Sequence, residues 1–395
     1  MSRTSQRTTT ANPPVKTAAQ LPKPKALPPI VSLQKFLTDA YNAEKPSLEP
    51  AGMIINGFTL KNKTAAISIE LIDSDGNNQY AEINGTRMDF SGSLVKAAAL
   101  YAAFDLRSAA RQHAKTNNFA DDSGFRNSFV SAVDTSTAIQ RLKDFSDGHK
   151  PILDQIFTGF KDTGPNQVRF KASFQTDLNT LENENAGRII RALGYSYINV
   201  SMIRGKFFDP DPLKLNGIWL AGDYSGEAML KSVRVPVEND TVAGGSGQAI
   251  TTKQMSRMFC LVHIGKGFSN VADVAERTAA NDGMHAILAA QGSFFFDANT
   301  PPFFQLTENR EFSDHCAKVG IGRLGPIPTP GPGVFSEGAV MKWSNDVERT
   351  NFNQAKERKL TGDFAVCWQN MYRPDAHFDT MIRILNTSIR NFLTQ

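Results

Sequence analysis

Cysteine is scarce in this chain: three in 395 residues, Cys260, Cys316 and Cys367, with no C-x-x-C among them. That spacing excludes a disulfide framework and a structural zinc ribbon, and three thiols in apolar stretches are expected to be buried. The six histidines show no H-E-x-x-H or paired spacing, so neither a metal nor any other cofactor is expected. There is no G-x-S-x-G, which removes the nucleophile elbow of the α/β-hydrolases. Gly244-Gly245-Ser246-Gly247 is not followed by Lys-Ser/Thr, so it is no phosphate loop. No apolar run reaches the roughly 18 residues that a membrane span needs, so no transmembrane segment is expected.

Acidic residues are missing from positions 1–30, which hold Arg3, Arg7, Lys16, Lys23 and Lys25. The formal charge of +4 therefore belongs to this Pro- and Thr-rich stretch, and the remainder is close to neutral. A nucleic-acid surface on the body is not expected. The stretch cannot form a core and reads as a disordered basic tail. It also lacks the apolar segment of a secretory leader.

What the chain does have is a graded pattern of elements. Ala65–Asp73 and Gln79–Ile83 flank the turn cluster Ser74-Asp75-Gly76-Asn77-Asn78, which predicts a hairpin. Residues 31–42 predict a short helix. The region from about 94 to 255 reads as mostly helical, with Gly194 interrupting an apolar pattern over 185–203. Thr251 and Gln254 form a capping box ahead of a helix at 255–264, and further helices are expected near 272–279 and 282–290. Strand-like pieces follow at 316–321, 334–343 and 364–372, then a terminal amphipathic helix over 378–392. Strands at both ends with helices between predict an α+β fold. Its antiparallel sheet comes from both chain ends and is flanked by helices. Residues 31–92 and 256–395 would form an α/β lobe and 93–255 a mainly helical lobe. The aromatic run Phe294-Phe295-Phe296 reads as core, with a groove wall as the alternative.

The chemistry concentrates at Ser93-Leu94-Val95-Lys96, which opens the apolar run Ala97–Phe104. A serine at a helix start and a lysine one turn on share a face. An amine among alanines, leucine and aromatics is poorly solvated, so its pKa should fall, and the neutral form can take the serine proton. A second S-x-x-K, Ser32-Leu33-Gln34-Lys35, reads as a helix cap.

The hairpin leading into Ser93–Lys96, with Lys318-Val319-Gly320 in a late strand, resembles the penicillin-recognising serine enzymes, the class A β-lactamases and D,D-peptidases. Their signature is S-x-x-K, S-D-N and K-T-G. The resemblance implies a β-lactamase/transpeptidase-like fold and an acyl-enzyme formed on Ser93 with Lys96 as general base. An oxyanion hole from the N–H groups of Ser93 and Ile321 comes with it, as does Lys318 as a charged anchor. The implied ligands are small-molecule β-lactams or a peptidoglycan stem peptide. Gly320, Gly322 and the residue at Val319 would lie along the substrate. The implied compartment is periplasmic or extracellular.

The chain departs from the signature at several points. No S-D-N occurs. Tyr195-Ser196-Tyr197-Ile198-Asn199 offers Ser196 as the second hydroxyl, or Tyr197 and Asn199 as a Y-x-N. Val319 replaces the threonine of K-T-G. The deacylating glutamate of the β-lactamases is not visible, because Glu227 is followed by Ala228-Met229-Leu230. Slow deacylation is therefore expected. The alternative is a catalytically weak or inactive relative that binds peptidoglycan or a protein partner in the same cleft.

Overall fold

In the computed structural model the described residues are 32–51, 54–55, 58–59, 64–72, 79–117, 119, 121–133, 150–158, 168–209, 216–222, 235–239, 246–293, 311–323, 333–344, 361–372 and 374–393. The 1–30 tail, Glu227 and the 294–296 run lie outside them.

Ten α-helices are described, and they run in chain order as follows. Helix α1 is Leu33–Leu48, α2 Lys96–Thr116, α3 Asp122–Ala132, α4 Leu153–Ile156 and α5 Ala172–Thr180. Helix α6 is Asn183–Leu193, α7 Tyr195–Arg204, α8 Thr252–His263, α9 Val274–Ala289 and α10 Pro374–Leu393. The strands are β1 Ile54–Ile55, β2 Phe58–Thr59, β3 Ala66–Ile72, β4 Gln79–Ile83, β5 Asp89–Phe90 and β6 Phe157–Thr158. They continue with β7 Arg169–Phe170, β8 Ile218–Leu220, β9 Gln248–Ile250, β10 Glu311–Arg323, β11 Gly333–Ser344 and β12 Thr361–Met371.

The main sheet is antiparallel throughout, in the order β10-β11-β12-β3-β4, so the fold is α+β with its sheet drawn from both chain ends. Alternation along these strands sorts side chains between two cores. Ala317, Ala339, Met341, Trp343, Val366 and Trp368 face α1 and α10. Cys316, Val340, Ala365 and Cys367 face the opposite way, against α2 and α8. All three cysteines are buried thiols outside any disulfide. The edge strand β4 is covered rather than left open: the Gln34 side chain of α1 donates to the Glu82 carbonyl at 2.9 Å and accepts from the Glu82 N–H at 2.9 Å. A glutamine thus completes one rung of the missing neighbour strand.

Helix α2 is buried on every side from Ala97 to Phe104, which identifies it as the central rod of the helical region. Gly194 separates α6 from α7 at φ +79°, a conformation that a side chain rarely adopts. The expected breaks near 280 do not occur; α9 is continuous from Val274 to Ala289, since Asn281, Asp282 and Gly283 are tolerated once packing supports the helix. Only half of the expected capping box forms: the Thr251 hydroxyl accepts from the Gln254 N–H at 3.3 Å, but the Thr251 N–H donates to the Gly217 carbonyl and Gln254 Oε1 has no partner among the described residues. Ser32 caps α1 by accepting from the Lys35 N–H. No described helix is long and apolar enough to cross a membrane.

Candidate functional site

Strand β5 delivers the chain to Ser93 and is pinned from two sides. Asn239 pairs with both backbone groups of Phe90, accepting from its N–H at 2.7 Å and donating to its carbonyl at 2.9 Å. Asp89, fully buried, accepts from Arg87 Nε at 2.8 Å, from Gln369 at 3.3 Å and from Asn370 at 3.2 Å. Burial pushes its carboxyl up to about 6, against the pull of Arg87.

Gly92 then turns the chain at φ +57° into a 3-10 turn, Gly92–Val95, and α2 starts at Lys96. The Lys96 N–H bonds back to the Ser93 and Leu94 carbonyls. Because a 3-10 turn has about three residues, positions i and i+3 eclipse, so Ser93 and Lys96 stand on one line. No side chain caps this turn, and Ser93 is half-buried with no described residue bonded to its hydroxyl.

The turn lies against the late strand β10. A Cβ at Gly92 would stand 2.6 Å from the Ile321 carbonyl carbon and 2.8 Å from the Gly322 nitrogen. A Cβ at Gly320 would stand 2.2 Å from the Ser91 carbonyl oxygen and 2.6 Å from the Leu94 nitrogen. Both glycines are required by backbone-to-backbone contact. Opposite Gly320, Ser336 of β11 donates to the Ser91 carbonyl at 2.6 Å and locks the turn to the sheet. The pairing of β11 with β12 shifts register between Phe335 and Glu337. The extra residue lies in β12, which takes three steps from Met371 to Trp368 while β11 takes two, and from there Gln369 and Asn370 donate to Asp89; on β11, Glu337 accepts from Ser293.

Two buried amines meet here. Lys96 is 3% exposed, and its Nζ donates to the Leu181 carbonyl at 2.9 Å and to Asn183 Oδ1 at 2.7 Å. Burial, aided by repulsion from Lys318 and opposed by Glu182, lowers its pKa to about 7. Lys318 is 6% exposed and donates to the Val319 carbonyl at 3.1 Å; burial lowers it to about 8, with Glu337 pulling the other way. Ser93, Lys96, Lys318, Gly320, Ile321 and Gly322 are thus brought to one seam. Val319 is half-buried beside it, and Ile321 stands out at 54% exposed.

Two of the groups that the sequence offers in Tyr195–Asn199, Tyr197 and Asn199, are committed elsewhere. Tyr197, fully buried, donates to Asp105 at 2.8 Å. Asp105 lies nine residues along α2 from Lys96, about 13 Å at 1.5 Å per residue. Burial and the Asp105 charge hold the Tyr197 phenol protonated. Asn199 is spent on tying α7 to β8, donating to Tyr195 and Leu220 carbonyls and accepting from the Leu220 N–H. Ser196 is buried on the same helix, and its hydroxyl has no hydrogen-bond partner among the described residues.

The segment that does face Lys96 is Leu181-Glu182-Asn183, which leaves α5 and opens α6. It ends in asparagine, as S-D-N does, but begins with leucine, so it brings no hydroxyl. Leu181 sits at φ +49°, unusual for a branched side chain, and this conformation aims its carbonyl at the amine. Sequence reasoning missed this segment because 85 residues separate it from Lys96 and its letters match no motif. Ser336 was missed as well, because its place opposite Gly320 is set by the register of β10 on β11.

No family profile and no curated protein matches this chain. Solved structures similar to it include a β-lactamase from Sphaerobacter thermophilus, at 12% identity and a TM-score of 0.42, covering 91% of this chain and 97% of that one. The TLA-1 extended spectrum β-lactamase is similar at 10% identity and a TM-score of 0.47, covering 91% and 99%. A β-lactamase from Burkholderia phymatum is similar at 13% identity and a TM-score of 0.44, covering 90% and 100%. The likeness is one of layout.

Proposed function

We propose that the seam between the 92–95 turn and β10 forms a covalent acyl-enzyme on Ser93 with β-lactams or D-Ala-D-Ala-like amides. One observation carries this reading: a buried lysine amine, its pKa lowered to about 7, one 3-10 turn from a half-exposed serine. A neutral amine has two hydrogens and one lone pair. The bonds to Leu181 and Asn183 occupy the two hydrogens, and the lone pair is the basic site.

The chemistry balances with this chain's own groups. The Lys96 lone pair takes the Ser93 proton while Oγ adds to the amide carbonyl. The oxyanion is held by the N–H groups of Ser93 and Ile321, and losing one such donor typically costs on the order of 10²–10³ in rate. Collapse breaks the C–N bond, and the Lys96 ammonium returns the proton to the leaving nitrogen. Leu181 offers no hydroxyl relay for that step, so the direct return is the route we favour over one through Ser196. Lys318 supplies positive charge to a substrate carboxylate, with Gly320 and Gly322 allowing close approach of the substrate backbone and Val319 giving apolar contact.

Leu181 at Lys96 and Val319 after Lys318 also support a second reading, in which the seam binds peptidoglycan or a protein partner without turnover. A fluorescent penicillin separates the two. The wild-type chain is expected to be labelled, with a long-lived adduct visible by intact mass, and Ser93→Ala to lose the label while unfolding normally. An unlabelled wild type with an intact unfolding transition overturns the enzyme reading; labelling that survives Ser93→Ala moves the nucleophile.

A further inference from the structure

Helix α8 carries two different faces. Met255, Met258 and Phe259 are buried against the sheet, where a Cβ on Gly338 would stand 2.7 Å from the Phe259 ring. Lys253, Arg257, Leu261 and Ile264 recur at four, four and three residues, a single stripe on another side. That stripe lines a cavity of about 440 Å³ together with Lys266 and the cross-strand pair Glu70 and Tyr80 of β3 and β4. The volume falls in the range of small-molecule sites, roughly 300–1,000 Å³.

The polar groups of the cavity are arranged unequally. Lys253 is shared: its Nζ lies 3.9 Å from a Glu82 carboxylate oxygen and 5.0 Å from the Tyr80 ring centroid. The Tyr80 hydroxyl is held by Ser68 at 3.1 Å and by Glu82, so its ring is fixed as a wall. Glu70, 6% exposed, supplies the single carboxylate among the lining groups, against three cations. Arg257 and Lys266 are exposed, and among the described residues neither has an ion-pair partner. Two cations that no described carboxylate pairs with, beside an apolar floor of Leu261 and Ile264 and a fixed aromatic wall, make a charge pattern that favours an anion carrying a flat or aliphatic body. An arginine further favours planar or tetrahedral oxyanions that can accept two parallel bonds.

We propose that this cavity is a second ligand site, separate from the Ser93 seam, for a small organic dianion, either a phosphate monoester or a dicarboxylate. The anionic end meets Arg257 and Lys266, and the body lies over Leu261 and Ile264 against Tyr80.

The test is calorimetric titration of the full chain with phenyl phosphate and, separately, with phthalate. These two dianions share an aromatic body and differ in their charged groups. Saturable binding of one or both is expected, weakened about tenfold or more by Arg257→Gln and by Lys266→Gln. It should also weaken as salt is raised. Both substitutions are at exposed positions and should leave the unfolding transition in place. Ser93→Ala should bind as the wild type does. Binding of phenyl phosphate alone identifies the phosphate source, and binding of both identifies the shared dianion chemistry. The proposal is overturned by the absence of saturable heat from either probe. Affinities that ignore both substitutions, or that disappear in Ser93→Ala, overturn it as well.

Discussion

At the scale of single residues, two amines set the pH behaviour. The proposed acylation needs Lys96 neutral, which it becomes as pH rises through about 7, and Lys318 charged, which it remains only below about 8. The rate constant for acylation at low substrate is therefore expected to be bell-shaped, with its maximum between those values. The two amines repel, so the limbs belong to the pair. Stopped-flow labelling across pH 5–10 reads this directly; a rate that climbs steadily to pH 10 contradicts a lowered Lys96. Tyr197 gives the complementary case. Its hydroxyl serves Asp105 in company with Ser201, Arg204 and Asn270. Tyr197→Phe should cost about 1.5–3 kcal/mol of stability, the usual net worth of a buried hydrogen bond to a charged group, and leave the acylation rate unchanged. Urea unfolding and penicillin labelling of the same preparation check both halves.

Elements position these residues by close approach. The turn at 92–95 meets β10 through glycines, where no side-chain atom fits between the two backbones. Gly320→Ala would drive a methyl to 2.2 Å from the Ser91 carbonyl and 2.6 Å from the Leu94 nitrogen, backbone atoms that cannot swing aside. We expect a loss of roughly 1–3 kcal/mol, the usual range for overpacking, together with slower labelling, because the turn is pushed from the strand. Gly333→Ala is the control: its nearest neighbour is the Phe335 ring at 3.6 Å, an ordinary contact. Chemical denaturation of the two variants side by side should show a midpoint shift in the first alone. Much of this was legible in the sequence at the level of elements. The β3–β4 hairpin, the Thr251 cap, the three late strands and the terminal helix follow from alternation and capping, which are local. The join at Gly194 was visible as a break. The continuity of α9 was not, because tertiary packing overrode the weak propensity of Asn281, Asp282 and Gly283.

For the whole molecule, the decisive link is β12 paired with β3, which brings Cys367 opposite Ser68 and Trp368 opposite Ile67. This strand holds β10 and β11 to the hairpin from the front of the chain. Removing residues 361–395 deletes it and α10, leaving two open edges and half of the core around Trp343 uncovered. The truncated chain is expected to lose its cooperative unfolding transition and its near-ultraviolet dichroism, and with them all penicillin labelling. A truncated chain that still unfolds sharply would mean that the front and back of the sheet fold separately.

The sequence by itself determined what local rules can reach: the hairpin into a helix, Ser93 and Lys96 on one face, and the depressed lysine that an apolar run implies. It also determined the antiparallel strands at the end. Only the tertiary structure decided who meets the amine. Leu181 and Asn183 reach Lys96 across 85 and 87 residues, Ser336 reaches Ser91 across 245, and Tyr197 is drawn away to Asp105. The physical reason is that burial is settled by the whole packed interior, so a buried donor goes to whichever acceptor the packing brings within about 3 Å, whatever its distance along the chain.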